Sequence, residues 1–318
     1  MRLAFARSPD RPCSAMARSP DRPSPDGGGI LRGIIRTVRK SLVLTLACLG
    51  AGVSGLWMPV RAQLPFTSAK TSGQDVSPAY EGWYRNADGS INFSFGYINR
   101  NATEIVDIPI GKDNFISPGP ENQGQPTEFQ PRRNWGVFAV KVPANFTGEV
   151  VWTLRVRGET YAIPAKMHPN WQIDALEGEA GYGNTPPVVK FAADGPEARG
   201  PGGITAGPVT ATTSQPLALT VWASDDGKGP AAAGRAGAAP AAPVVTLAYF
   251  KHQGPGKVTF TPATGRAAAA GGQANTSVAF SAPGDYILRV RATDISGVAN
   301  AGHAQCCWTN GFVKVSVK

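Results

Sequence analysis

Histidine is almost missing from this chain, with three in 318 residues. A Ser/His/Asp triad would need His168, His252 or His303, and none has a suggestive neighbourhood. There is no G-x-S-x-G elbow, no H-E-x-x-H, no P-loop and no G-x-G-x-x-G after a strand, which removes the enzyme classes those motifs serve. Cysteine is equally scarce at four. Only the neighbours Cys306 and Cys307 remain beyond the first 62 residues. They lack the two-residue spacer of zinc sites, so structural zinc is a poor fit. Sustained helical periodicity is absent too, and 28 prolines and 38 glycines punctuate short apolar runs.

A dense basic patch is also lacking where it would matter. The net charge is +9, but residues 1–62 hold ten Lys/Arg against three Asp/Glu, leaving 21 against 19 beyond them. The excess lies in the leader, and a nucleic-acid partner is not expected. Within that leader Arg32, Arg36, Arg39 and Lys40 precede an apolar stretch from Leu42 to Met58. Val60 and Ala62 then stand before Gln63 as the small residues of a cleavage site. The expectation is a disordered extension plus signal peptide over 1–62, export of the remainder to the periplasm or beyond, and membrane contact only through an uncleaved leader. A transmembrane helix is the rival, but Gly50, Gly52 and Gly55 interrupt a stretch of only marginal spanning length. Upstream, "ARSPDRP" occurs at 6–12 and 17–23 in a segment too poor in large apolar residues to build a core.

What remains alternates like strands. In "SINFSFGYI", Ile91, Phe93, Phe95 and Tyr97 share one face and Asn92, Ser94 and Gly96 the other. With "EGWYRNADG" before it, residues 82–98 read as a hairpin. Strands follow at "TEIVDIPI", "WGVFAVKVP" and "GEVVWTLRVRG". "GYGNTPP" at 181–187 has linker composition. Beyond it "QPLALTVWASDDG", "VVTLAYF", "GKVTFTP", "TSVAFSAPG", "DYILRVRATD" and "FVKVSVK" repeat the alternation, with Tyr286, Leu288 and Val290 inward and Arg289 and Arg291 outward. The predicted class is all-β, with two tandem antiparallel sandwich-like domains at 63–183 and 184–318.

"APGDYILRVRATDISG" and "LTVWASDDG" resemble the sixth and second strands of PKD and related Ig-like domains. That resemblance makes Tyr286 the tyrosine-corner residue; the inter-sheet cysteines of antibody domains are missing. "YEGWYRNADGSINFSFGYINRN", "GQPTEF" and "CCWTNGFVKVSV" together resemble a group of uncharacterised secreted bacterial proteins. The second resemblance implies an architecture and an exported location but no activity.

Three sets of candidate residues follow. Cys306 and Cys307 can form a vicinal disulfide, bond other molecules or stay free; an oxidising compartment favours the bridge. Such a bridge needs a distorted turn, because on a strand the two side chains would point to opposite faces. In an Ig-like sandwich the loops after the second and sixth strands share one end. That gathers Asp225, Asp226, Asp294, His303 and Cys306–Trp308 at one pole, where carboxylates could hold calcium. The alternative is that Asp simply ends strands. Trp308 at that pole, and Tyr80, Trp83 and Tyr84 before the hairpin, could form aromatic ligand-binding faces; core packing is their commoner fate. The functional expectation is a non-catalytic binding or structural module of the bacterial envelope, meeting a surface protein or polysaccharide. The alternative is a carbohydrate-active enzyme with an Ig-like accessory domain, since paired carboxylates leave no sequence signature. Glu177 and Glu179 are better read as solvated.

Overall fold

The computed structural model describes residues 70–177, 183–228, 243–297, 299–301 and 304–318. The leader and its cleavage site, Glu179, most of the low-complexity stretch "GKGPAAAGRAGAAPAAP" and His303 lie outside the described residues.

The first half runs β1 (Val76–Arg85), β2 (Ile91–Asn99), β3 (Val106–Asp107), β4 (Asn114–Ser117), β5 (Glu128–Phe129), β6 (Arg132–Val142), β7 (Val150–Val156) and β8 (Glu159–Ala165), then a short 3-10 turn at Pro169–Trp171. The second half runs β9 (Val188–Lys190), β10 (Ile204–Ala211), β11 (Leu217–Ser224), β12 (Val244–Gln253), β13 (Val258–Thr261), β14 (Thr264–Ala268), β15 (Gly272–Phe280), β16 (Gly284–Thr293), β17 (Ala299–Ala301), β18 (Ala304–Cys306) and β19 (Trp308–Val317). Among these residues no helix is long and apolar enough to cross a membrane.

The architecture is all-β. In the first half β1-β2-β6 and β4-β7-β8 form two sheets, and β3 pairs with β5. In the second, β10-β19-β16-β12-β14 faces β13-β15-β11-β9. Pairing is antiparallel except that β10 runs parallel to β19. Alternation explains the second core. Leu219, Val221 and Ala223 from β11 meet Leu288, Val290 and Ala292 from β16 and Val313, Val315 and Val317 from β19. Tyr286 closes a corner: its hydroxyl donates to Ala282 O at 2.8 Å and accepts from Gly256 N at 3.0 Å. In the first half Ile91, Phe93, Phe95 and Tyr97 are all buried, packed with Phe138 and Trp152.

One expectation needs correcting. Arg289 and Arg291 do face away from the second core, but that face is not wet. Arg289 is only 2% exposed. Its guanidinium lies 4.5 Å from the Phe250 ring centre and donates to Asn310 Oδ1 at 3.3 Å. Phe312, from the same outer face, joins the first half's core. The first half covers this sheet, and residues 67–318 form one compact unit. Strand alternation distinguishes one face from the other; it does not say that the second face meets water.

Candidate functional site

The two halves meet along a polar seam. Near its centre the β1–β2 register slips between Tyr80 and Gly82, leaving Glu81 as the extra residue of a bulge. The β2–β6 register slips at the same level, between Phe95 and Tyr97. Bulges re-aim side chains, and here Glu81 is turned over Gly96, where any Cβ would collide with its Oε1. The segment 305–310 enters from the other half. Gln305 Nε2 donates to Glu81 O at 2.8 Å. Trp308 Nε1 and Asn310 Nδ2 both donate to Gly136 O, at 3.2 and 2.7 Å. Gly136 has φ +45°, and its missing side chain leaves room for the Trp308 ring.

The electrostatics of the seam are set by burial. Glu81 is 4% exposed. Its Oε2 accepts from Arg133 Nη2 at 2.7 Å, while Oε1 is buried without a partner. Burial pushes this carboxyl up to about 8, outweighing the ion pair with Arg133. Arg133 lies 3.7 Å over the Trp135 ring. Ser94 Oγ and Gln305 Oε1 are further buried atoms without partners. At the other end Lys251 bridges Asp107 (3.0 Å) and Glu128 (2.9 Å). Beside it, burial pulls His252 down to about 3, and its Nε2 meets Gly124 O at 2.6 Å.

Cys306 and Cys307 are joined by a disulfide across a cis peptide, at the end of β18 and before β19. Both are buried, at 1% and 2% exposure. Cys307 O accepts from Asp294 N, and Cys307 N donates to Gly297 O, both at 3.4 Å, so the pair is tied to the turn after β16.

The aromatic candidates are not where ligands could stack. Trp308 is fully buried, and Trp83 and Tyr84 are buried at 7% and 3% exposure. Each polar tip finds an internal partner, which is what makes burial of such residues inexpensive. Trp83 Nε1 donates to His168 O at 2.9 Å. Tyr84 Oη accepts from Asn92 Nδ2 at 2.9 Å and Gly202 N at 2.8 Å. Tyr80 is half-buried and donates to Lys166 O at 3.0 Å. Its ring sits 5.5 Å from that of Trp171, which is 49% exposed and was given no role by its sequence context.

The acidic candidates do gather at one pole, but not as a three-carboxylate set. Among the described residues no three His, Cys, Asp or Glu side chains converge on a metal position. Asp226 accepts from Thr185 Oγ1 at 3.0 Å and from Lys228 N at 2.9 Å. Asp294 accepts instead from Asn184 Nδ2 at 2.8 Å, a residue whose linker-like surroundings hid it.

Solvent reaches the seam through an open cleft of about 560 Å³, lined by Asn86, Asp88, Asn92, Lys141, Glu197 and Arg199 among others. A second, of about 370 Å³, shares Ala139 and Gly202 with it and extends to His252, Phe312 and Lys314.

No protein family matches the chain, and no curated protein matches it in sequence. Among solved structures it is similar to the D00-D0 domain of intimin at 13% identity, covering 76% of this chain and 99% of that one, with a TM-score of 0.23. It is likewise similar to fibronectin(III)-like modules of CbhA from Clostridium thermocellum, at 13% identity, 76% and 95% coverage and a TM-score of 0.20. A Salmonella enterica SafA pilin in complex with the SafB chaperone matches at 12% identity over 36% of this chain and 51% of that one, with a TM-score of 0.22. Likeness at this level carries no argument about function.

Proposed function

We propose that the protein is an exported, non-catalytic binding or structural module of the bacterial envelope that meets a surface protein or polysaccharide. The supporting observation is where the reactive side chains are spent. Glu81, Arg289 and Trp308 are all buried in the seam, out of a substrate's reach, with their hydrogen bonds directed at the protein itself. A general acid must come within hydrogen-bond range of the group it protonates. Glu81 has a raised pKa, but at 4% exposure it cannot do so.

What faces outward is the open cleft, rich in amide and charged groups at Asn86, Asn92, Lys141 and Arg199. Cell fractionation followed by binding of the recovered protein to envelope polysaccharides and surface proteins tests this reading. Export is expected, with saturable binding that a Lys141→Glu/Arg199→Glu double variant weakens about tenfold, as loss of polar and charged contacts would give. Cytoplasmic retention, binding indifferent to the cleft variant, or release of reducing ends from a polysaccharide would overturn it. The last outcome would favour the carbohydrate-active alternative.

A further inference from the structure

The pole formed by the turns after β11 and β16 holds more oxygen acceptors than the protein has donors for. Asp225 Oδ2 accepts from Gly227 N at 2.9 Å. Asp226 is occupied by Lys228 N and Thr185 Oγ1. Asp294 Oδ1 accepts from Ser296 N at 2.9 Å, and its Oδ2 from Asn184 Nδ2. These bonds shape the turns and would exist with or without a ligand.

Two oxygens are left over. Among the described residues Asp225 Oδ1 and Asn184 Oδ1 are buried and have no hydrogen-bond partner. Asn184 is only 6% exposed, and the bond from its Nδ2 to Asp294 sets its carboxamide beside the cluster. Asp225 lies within electrostatic range of the like charges of Asp294 and Asp226 and of the opposite charge of Arg199. The neighbouring cations also make contacts of their own. Lys228 Nζ donates to Gly183 O at 2.9 Å and stands 3.8 Å from Asp226; Arg199 Nη1 donates to Thr185 Oγ1 at 2.6 Å. Among the described residues neither Asp225 nor Asp294 has an ion-pair partner.

Buried anionic and carbonyl oxygens without donors are costly unless a proton, a water or a cation meets them. A hard cation answers all of them at once, since calcium takes oxygen ligands of mixed charge and tolerates irregular geometry. We propose that Asp225, Asp294 and the side-chain oxygen of Asn184 bind a calcium ion, with turn carbonyls and water completing its shell. Asn184, not Asp226, is the third protein ligand. With two carboxylates the site belongs to the weak class typical of extracellular modules, with a Kd of about 10⁻⁴ to 10⁻³ M. The ion would pin residues 183–185 between the two turns and, through Asp294, steady the backbone of Cys307. The inference stands independently of what the cleft binds.

The test is thermal unfolding of the EDTA-stripped mature protein in about 5 mM CaCl2, against NaCl of equal ionic strength. Calcium is expected to raise Tm by about 3–6 °C over NaCl. Asp225→Asn should show the opposite pattern: a Tm without calcium equal to or above the parent's, because a repulsive charge is gone, and no calcium increment. Equal Tm in calcium and sodium would overturn the proposal, leaving water or a proton to serve the orphan oxygens. An Asp225→Asn protein that keeps the full increment would overturn it as well.

Discussion

Replacing Trp308 by alanine is expected to lower the unfolding free energy by about 3–5 kcal/mol, the cost of truncating a large core aromatic. Trp308 is fully buried between the halves, and its ring fills the space over Gly136. The lost hydrogen bond matters less than the cavity, because Gly136 O keeps the Asn310 Nδ2 donor at 2.7 Å. Trp308→Phe should therefore recover most of the loss. Trp171, 49% exposed, is the control: its alanine variant should fall within about 0.5–1 kcal/mol of the parent. Urea midpoints of the three variants decide the matter. If Trp308→Ala and Trp171→Ala cost the same, Trp308 does not hold the halves together.

The second large effect is on pH dependence. Glu81 titrates near 4.5 in an unfolded chain and at about 8 in the fold. Between those values the unfolded chain has released its proton while the folded protein retains it. Stability from this group is therefore greatest below about pH 4.5 and declines as pH rises, by about 1.4 kcal/mol per unit, levelling off above about pH 8. The full span is on the order of 5 kcal/mol. Glu81→Gln keeps the shape, keeps an acceptor for Arg133 and removes the titration. Its stability should match the parent's near pH 5 and exceed it increasingly up to about pH 8, on the scale set by that slope, with a constant difference above. Parallel curves for parent and variant would mean that Glu81 is ionised in the folded protein, with Arg133 outweighing burial.

The strands were legible because their alternation is strong. Ile91, Phe93, Phe95 and Tyr97 predict one core, and Leu288, Val290 and Val313 the other, all of them buried. The tyrosine corner at Tyr286 was implied by the resemblance to PKD and Ig-like strands, and its partner Ala282 lies four residues away. The seam was hidden because its contacts are remote in sequence: Gln305 and Glu81 are 224 residues apart, Trp308 and Gly136 172. Nothing local marks Asn92, Ser94 or Arg289 as buried, and polar residues on one strand face read as solvated. The opposite error affected Trp308 and Trp83, whose aromatic character suits a binding surface and a core equally well. At the pole the loop order of an Ig-like sandwich placed Asp225 and Asp294 at one end, and the two lie within electrostatic range of each other. Asn184 escaped notice because a Gly- and Pro-rich stretch looks like a linker until its side chain is seen 2.8 Å from Asp294.

The central claim is that segment 305–310, inserted at the bulges of β1 and β6, makes two sandwich-like halves into one folding unit. Calorimetric unfolding of residues 63–318 tests this most directly. One transition, with calorimetric and van't Hoff enthalpies in agreement, is the predicted result. Two resolved transitions, with Trp308→Ala shifting only one of them, would contradict it.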